Sequence, residues 1–251
     1  MNKKINNLRC LGGYTNKEGK KVKDNLLFRS GSLNINSIDL EETLNSLKIK
    51  TVYDLRSSRE VEKAPYVLPS GIEYKHYPVL NSLEGIFKNL NLDLSSSKEA
   101  AILISENHYM VRIYKEMALY PMMFGEIIKD IIKLNGEPIL FHCAAGKDRT
   151  GILATLLLLS LDVSQKDVME NYLLSLEYVR DYVESELDKL RKNNVSEKEL
   201  NKIKDAMIVK EEYLNSFLSI VNEYPSFKDY AEEKLNLNLD DLEKLKTLFL
   251  E

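Results

Sequence analysis

Two residues with complementary chemistry stand six positions apart in the stretch HCAAGKDRTG, residues 142–151: Cys143, a soft nucleophile, and Arg149, a planar cation. Between them, Ala144, Ala145 and Gly146 carry side chains small enough for the backbone to curl and aim several N–H groups at one spot. The guanidinium of Arg149 is a fork suited to two oxygens of a phosphate. A thiolate held beneath such a phosphate attacks phosphorus, expels an alcohol or phenol, and leaves a phosphocysteine for water to hydrolyse. Thr150 is placed to hydrogen-bond the departing sulfur.

This chemistry needs a strand, a tight loop and a helix in succession. EPILFHC (137–143) is an unbroken apolar run after Gly136, the pattern of a strand buried on both faces of a parallel sheet. Thr150 to Leu161 reads as a buried helix. The helix N-terminus adds unpaired donors and partial positive charge, which make an anion site and favour the thiolate. A buried structural cysteine beside a surface turn is the plainer alternative, but it leaves the small-residue loop, the spaced arginine and the helix start unexplained together. A Walker phosphate loop is excluded, because Lys147 is followed by Asp148 and the first glycine is missing.

Upstream, LLFRSGSL (26–33), KTVYDLR (50–56) and IEYKHYPV (72–79) read as extended segments, with DLEETLNSLKI (39–49) helical between the first two. Residues 99–133 read as helix broken near Pro121, and residues 81–120 as a candidate lid over the pocket. Beyond Ser164 everything looks helical, with capping signatures at Ser164/Asp167 and Ser196/Glu199. No linker or internal repeat separates residues 164–251, so the expectation is one α/β domain over residues 1–251. It has a central, mostly parallel sheet flanked by helices and a helical C-terminal part.

The chain has 251 residues, a formal charge of −4 and two cysteines, Cys10 and Cys143. Neither nucleic acid nor an anionic membrane is a natural partner for such a charge, so an anionic substrate must be drawn by local positive groups. Two distant cysteines make no disulfide framework and fit a reducing compartment. The N-terminus lacks a secretory apolar stretch and no run is long enough to span a bilayer. The expected location is the cytoplasm, with export by a signal-less route left open.

HCAAGKDRTG resembles the signature of the Cys-x5-Arg protein tyrosine phosphatases and, more narrowly, the HCxAGKDRTG loop of the atypical bacterial tyrosine-phosphatase-like family. NLRCLGGY (7–14), LFRSGSL (27–33), VYDLRSSREVE (52–62), DVSQKDVMENYLLS (162–175) and the segment 211–237 are similar to it as well. The resemblance implies a tyrosine-phosphatase-like fold with nucleophile Cys143 and phosphate-binding Arg149. It also implies backbone donors from Ala144, Ala145, Gly146, Lys147, Asp148 and Arg149, and no cofactor. Its members act on phosphotyrosine, some also on phosphoserine/threonine or phosphoinositides, so the implied partner is a phosphorylated protein or a phosphoinositide. Lys147 matches the lysine of the phosphoinositide-active relatives. The family usually has Asp after Arg9; here it is Cys10, so local hydrogen bonding must differ. A structural role is expected for Cys10, against the alternative of a thiol that traps Cys143 as a disulfide.

A general acid is less easily read. Leu94 to Lys129 contains no aspartate, Asp130 looks like a solvated charge in mid-helix, and Glu106 and Glu116 carry no matching motif. Two candidates remain, Asp148 in the loop and Asp54 at the carboxyl end of its strand. Asp148 could protonate the leaving oxygen or simply cap the helix, with catalysis favoured. Asp54 with Arg56 fits a salt bridge bracing the pocket wall, and His142 an orienting role. His76 and His108 are isolated, so no metal site is expected. A rhodanese-like sulfurtransferase or arsenate reductase, and a non-catalytic phosphopeptide-binding module, are weaker alternatives. The match outside the loop argues against the first, and the intact cysteine and arginine against the second.

Overall fold

The computed structural model describes residues 5–79, 109–192 and 195–251. Among the described residues five strands form one sheet: β1 (Arg9–Cys10), β2 (Leu27–Ser30), β3 (Thr51–Asp54), β4 (Glu73–His76) and β5 (Ile139–His142). Their spatial order is β1-β2-β5-β3-β4. β1 runs antiparallel to β2, and every other pairing is parallel. The last strand in sequence therefore lies in the middle. That position explains its unbroken apolar character: Ile139 and Phe141 enter one core and Leu140 the other, where it joins Phe28 and Val52. In register, Ser30 and Asp54 flank His142, so Cys143 leaves the sheet at its centre, at the carboxyl ends of the strands.

Helices cover both faces. Helix α1 (Ser37–Ser46) is capped by the Asn36 side chain and buries Leu40 and Leu44 in the core that holds Phe28, Val52 and Leu140. Helix α2 (Ser58–Lys63) follows β3 and opens on a capping box, Ser57 with Glu60. Helices α3 (Tyr109–Leu119) and α4 (Met122–Lys133) are divided at Pro121, as the sequence suggests. Residues 80–108 lie outside the described residues, and with them Glu106, His108 and most of the expected lid. The remainder of that span, from Tyr109, is a helix packed into the main core through Ile113, Tyr114 and Met117.

Helix α5 (Arg149–Ser160) follows β5 and is buried all round except at its first residue. After it come α6 (Gln165–Leu173), α7 (Ser175–Tyr178), α8 (Arg180–Lys192), α9 (Glu197–Met207), α10 (Glu211–Val221), α11 (Phe227–Leu235) and α12 (Leu239–Phe249). Leu214, Phe217, Tyr230, Leu245 and Phe249 of the last three helices share the core of α5. Helices α8 and α9 instead form a small core of their own around Val183, Leu187, Leu200 and Ile203, with a complete capping box at Ser196 and Glu199. The expected class, a mostly parallel sheet flanked by helices with a helical C-terminal part, is the architecture observed. Among the described residues no helix is long and apolar enough to cross a membrane.

Candidate active site

The loop after β5 is held open from outside. Gly146 has φ +69, and a Cβ there would lie 2.4 Å from the Ser30 carbonyl oxygen and 2.5 Å from the Gly31 nitrogen, so only glycine fits. The close approach lets the β2 segment grip the loop carbonyls. Ser32 N–H donates to Ala144 O at 2.9 Å, and Asn7 Nδ2 and Arg29 Nη2 donate to Gly146 O at 2.7 and 2.9 Å. With these carbonyls turned outward, the N–H groups of Ala144, Ala145 and Gly146 have no acceptor among the described residues. That is the arrangement an anion-binding nest requires. Cys143 lies at the base of the loop, 2 % exposed.

Arg149 opens α5 and is clamped end-on. Its Nη1 and Nη2 donate to Glu60 Oε2 and Oε1 at 2.6 and 2.7 Å, a fork-to-fork pair. Glu60 in turn accepts from Ser57 N–H at 2.8 Å, which ties the clamp to the first turn of α2. Burial would raise the Glu60 carboxyl, but the Arg149 hydrogen bonds and charge outweigh it and hold it at about 2. Burial likewise opposes the Arg149 charge, yet Glu60 and the nearby Cys143 sulfur push its pKa upward. The clamp leaves the Nε–Nη2 edge of the fork for a second anion. Glu60 was not among the candidates drawn from the sequence. Its S-x-x-E capping signature is readable, but a capping glutamate gives no hint that it also reaches a residue 89 positions away.

Asp148 occupies the N-cap position of α5, yet its side chain makes no capping hydrogen bond. Instead Oδ1 accepts from the Tyr114 hydroxyl at 2.8 Å and Oδ2 lies 3.2 Å from Lys147 Nζ. Tyr114 is hydrogen-bonded onward to the Tyr172 hydroxyl at 2.8 Å. Burial, then the charge of Asp148, push both phenols above their ordinary range, so they are neutral. Lys147 is buried beside Asp148. The Thr150 hydroxyl is buried without a hydrogen-bond partner among the described residues.

Asp54 is fully buried and holds Arg56 by three side-chain contacts, Nε to both carboxylate oxygens at 2.9 and 3.1 Å and Nη2 to Oδ2 at 2.7 Å. It also accepts from the Tyr74 hydroxyl at 3.0 Å. Burial acts to raise this carboxyl, but the Arg56 hydrogen bonds and the nearby His142 pull it below its ordinary value. Asp54 and Arg56 thus form the expected salt bridge. His142 is fully buried, and that burial takes its pKa to about 4 despite Asp54, leaving it neutral. Its Nδ1 lies 3.2 Å from the Cys143 carbonyl, which can only accept, so Nε2 accepts from the Tyr66 hydroxyl at 2.6 Å. A cavity of about 260 Å³ lined by Val61, Pro65, Tyr66 and Tyr74 lies on the α2 side of this network and includes no residue of the 143–149 loop.

Three other expectations meet the structure here. Asp130, read as a solvated charge, is instead a half-buried pin, accepting from the Tyr53 hydroxyl at 2.8 Å and from Lys75 Nζ at 2.6 Å. A mid-helix position faced a sheet edge that the sequence pattern could not reveal. His76 hydrogen-bonds the Arg56 carbonyl through Nε2 at 2.8 Å. Cys10 accepts through sulfur from the backbone N–H groups of Gly12 and Asn25, each at 3.2 Å, so the thiol holds two backbone donors in place, the structural role expected for it. It packs against the core opposite to that of Cys143, and both cysteines are free. Among the described residues no three His, Cys, Asp or Glu gather as a metal would need.

Known proteins are similar to much of this chain. A Cupriavidus necator protein assigned by name to the tyrosine-protein phosphatases is 33% identical over 174 residues, covering 68% of this chain and 60% of its own length. The triple specificity protein phosphatase PtpB of Mycobacterium tuberculosis is 31% identical over 169 residues, covering 59% of this chain and 60% of its own. The chain therefore spans about 60% of the length of these relatives. The crystal structure of Pseudomonas aeruginosa TpbA aligns over 78% of this chain and 95% of its own with 11% identity and a TM-score of 0.35, a distant likeness only. The family model, in contrast, runs through strand, loop and helical tail alike: it matches residues 2–251, and the chain belongs to the tyrosine phosphatase family.

Proposed function

We propose that the chain, acting as one domain over residues 1–251, is a cysteine-dependent phosphatase of phosphomonoesters, phosphotyrosine first, with phosphoserine/threonine and phosphoinositides as further substrates. The observation that carries this reading is the loop held open by its outward-bonded carbonyls, with Cys143 beneath it and Arg149 clamped by Glu60. The Cys143 thiolate forms an S–P bond as the P–O bond to the leaving group breaks. Arg149 and the loop N–H groups hold the non-bridging oxygens through that step. Asp148 supplies the proton to the leaving oxygen, since its carboxyl faces Tyr114 and Lys147 rather than capping the helix. Asp54 is buried in its ion pair and braces the wall. Water then breaks the S–P bond, with the Thr150 hydroxyl supporting the sulfur as it leaves. The relative named for triple specificity supports a site open to more than one class of ester, and a thiolate enzyme suits the reducing cytoplasm.

The test is a panel of phosphotyrosine and phosphoserine peptides and phosphoinositides, run on wild type and Cys143→Ser with and without EDTA. Turnover by wild type alone, indifferent to EDTA, is expected. Substantial turnover by Cys143→Ser, or EDTA loss restored by a divalent ion, refutes the thiolate mechanism.

A further inference from the structure

Two arginines lie inside the protein beneath the loop with no acid beside them among the described residues. Arg29, on β2, is fully buried, and Arg9, on the neighbouring β1, is 8 % exposed. Every hydrogen-bond partner they have among the described residues is neutral. Arg29 donates to Gly146 O at 2.9 Å and to Asn171 Oδ1 at 3.0 Å. Arg9 donates to Asn171 O at 2.9 Å, to Ser175 Oγ at 3.0 Å and to the side chain of Asn7, and lies 5.1 Å from the centre of the Tyr178 ring. Neither makes a salt bridge among the described residues, and the Nε of each is buried without a partner. Burial disfavours the charge on both, and Arg9 further disfavours that on Arg29, while the Cys143 sulfur favours it. A Cβ built on Gly151 would stand 3.6 Å from Arg29 Nη2, an ordinary contact distance, so the guanidinium lies against the first turn of the helix that follows the loop.

Like charges buried together without a counter-ion are costly to a fold. Removing a charged hydrogen-bond donor for a neutral one would relieve that cost, so the missing partner is to be sought in what the loop binds. We infer that Arg29, seconded by Arg9, is a charge reserve for the substrate: the phosphate dianion in the loop, with the Cys143 thiolate, is the counter-charge these guanidiniums lack. They then set the preference of the site for a doubly charged phosphate over a singly charged group of the same shape. This rests on the phosphatase reading of the loop.

The scaling with ligand charge gives the test. Tungstate and perrhenate are tetrahedral oxyanions of similar size carrying two charges and one. A lost protein charge weakens binding in proportion to ligand charge, so the fold-loss for tungstate is about the square of that for perrhenate. In Arg29→Gln, which keeps a donor and loses the charge, competitive inhibition of aryl phosphate turnover by tungstate is expected to weaken about tenfold and that by perrhenate about threefold. Arg29→Lys, which keeps the charge, should hold both within about threefold of wild type. Arg9→Gln, measured identically, should show the same inequality in smaller degree, and serves alone if Arg29→Gln does not fold. Equal losses for the two anions would make these arginines mere props of the loop and overturn the inference, as would unchanged binding in both Gln variants. A wild type that neither turns over phosphate esters nor binds tungstate would refute the phosphatase reading instead.

Discussion

Replacing Glu60 by Gln keeps the shape of the clamp on Arg149 and removes its charge. The folded protein holds the Glu60 carboxyl at about 2 against an ordinary 4.5. At about 1.4 kcal/mol per tenfold change, that corresponds to roughly 3 kcal/mol of folding stability. The sign follows from the direction of the displacement. A carboxyl depressed on folding contributes its full share above pH 4.5 and loses it as pH falls toward 2. Chemical denaturation should therefore find Glu60→Gln less stable by about 3 kcal/mol at pH 7, with the gap to wild type narrowing to roughly half by pH 3. Asp54 and other carboxylates titrate in both proteins and cancel in the difference. The same variant should lose about 10–100-fold in kcat/KM, because an unclamped Arg149 no longer presents its free edge to phosphate in one orientation. A stability gap that is absent at pH 7, or that persists unchanged into acid, would refute the assignment of Glu60 as an ionised partner.

Asp148→Asn should steepen the dependence of phosphoenzyme formation on leaving-group pKa, with losses of about 10²–10⁴-fold for alkyl esters and far smaller ones for activated aryl esters; single-turnover kinetics reads this directly. Asp54→Asn should instead cost about 3 kcal/mol of stability, by leaving Arg56 buried without its anion, and leave that slope unchanged. Lys147→Ala should weaken turnover of phosphoinositides more than of a phosphotyrosine peptide, and the difference should shrink as salt is added. Gly146→Ala forces a Cβ against the Ser30 and Gly31 backbone at positive φ; a loss of about 3 kcal/mol or more in a thermal melt, with collapse of activity, is expected.

What the sequence made legible was local. Strand, loop and helix around Cys143 follow one another in ten residues, so apolar runs, small loop residues and a spaced arginine sufficed. The extended segments at 26–33, 50–56 and 72–79 contain β2, β3 and β4, though each strand is shorter than its apolar pattern because pairing stops where the chain turns away. β1 left no signal, since a two-residue edge strand has no periodicity. The residues that complete the site escaped for one physical reason: each makes its decisive contact across the fold. Tyr114 reaches Asp148 from 34 positions away, Glu60 reaches Arg149 from 89, and Arg29 reaches Gly146 from 117. A phenol in an amphipathic helix or an arginine in a short strand carries no mark of such a partner.

The grip on the loop has a consequence for the life of the chain before it is complete. Asn7 and Gly146, which share a hydrogen bond, are 139 residues apart in sequence. At about 5–20 residues per second, Asn7 waits on the order of ten seconds on the ribosome before its acceptor has been made. Until β5 slots between β2 and β3, Cys143 belongs to an unfinished peptide with no cradle of amides above it. The proposed nucleophile and the cradle of amides above it thus come into being together, when the last strand takes its place at the centre of the sheet.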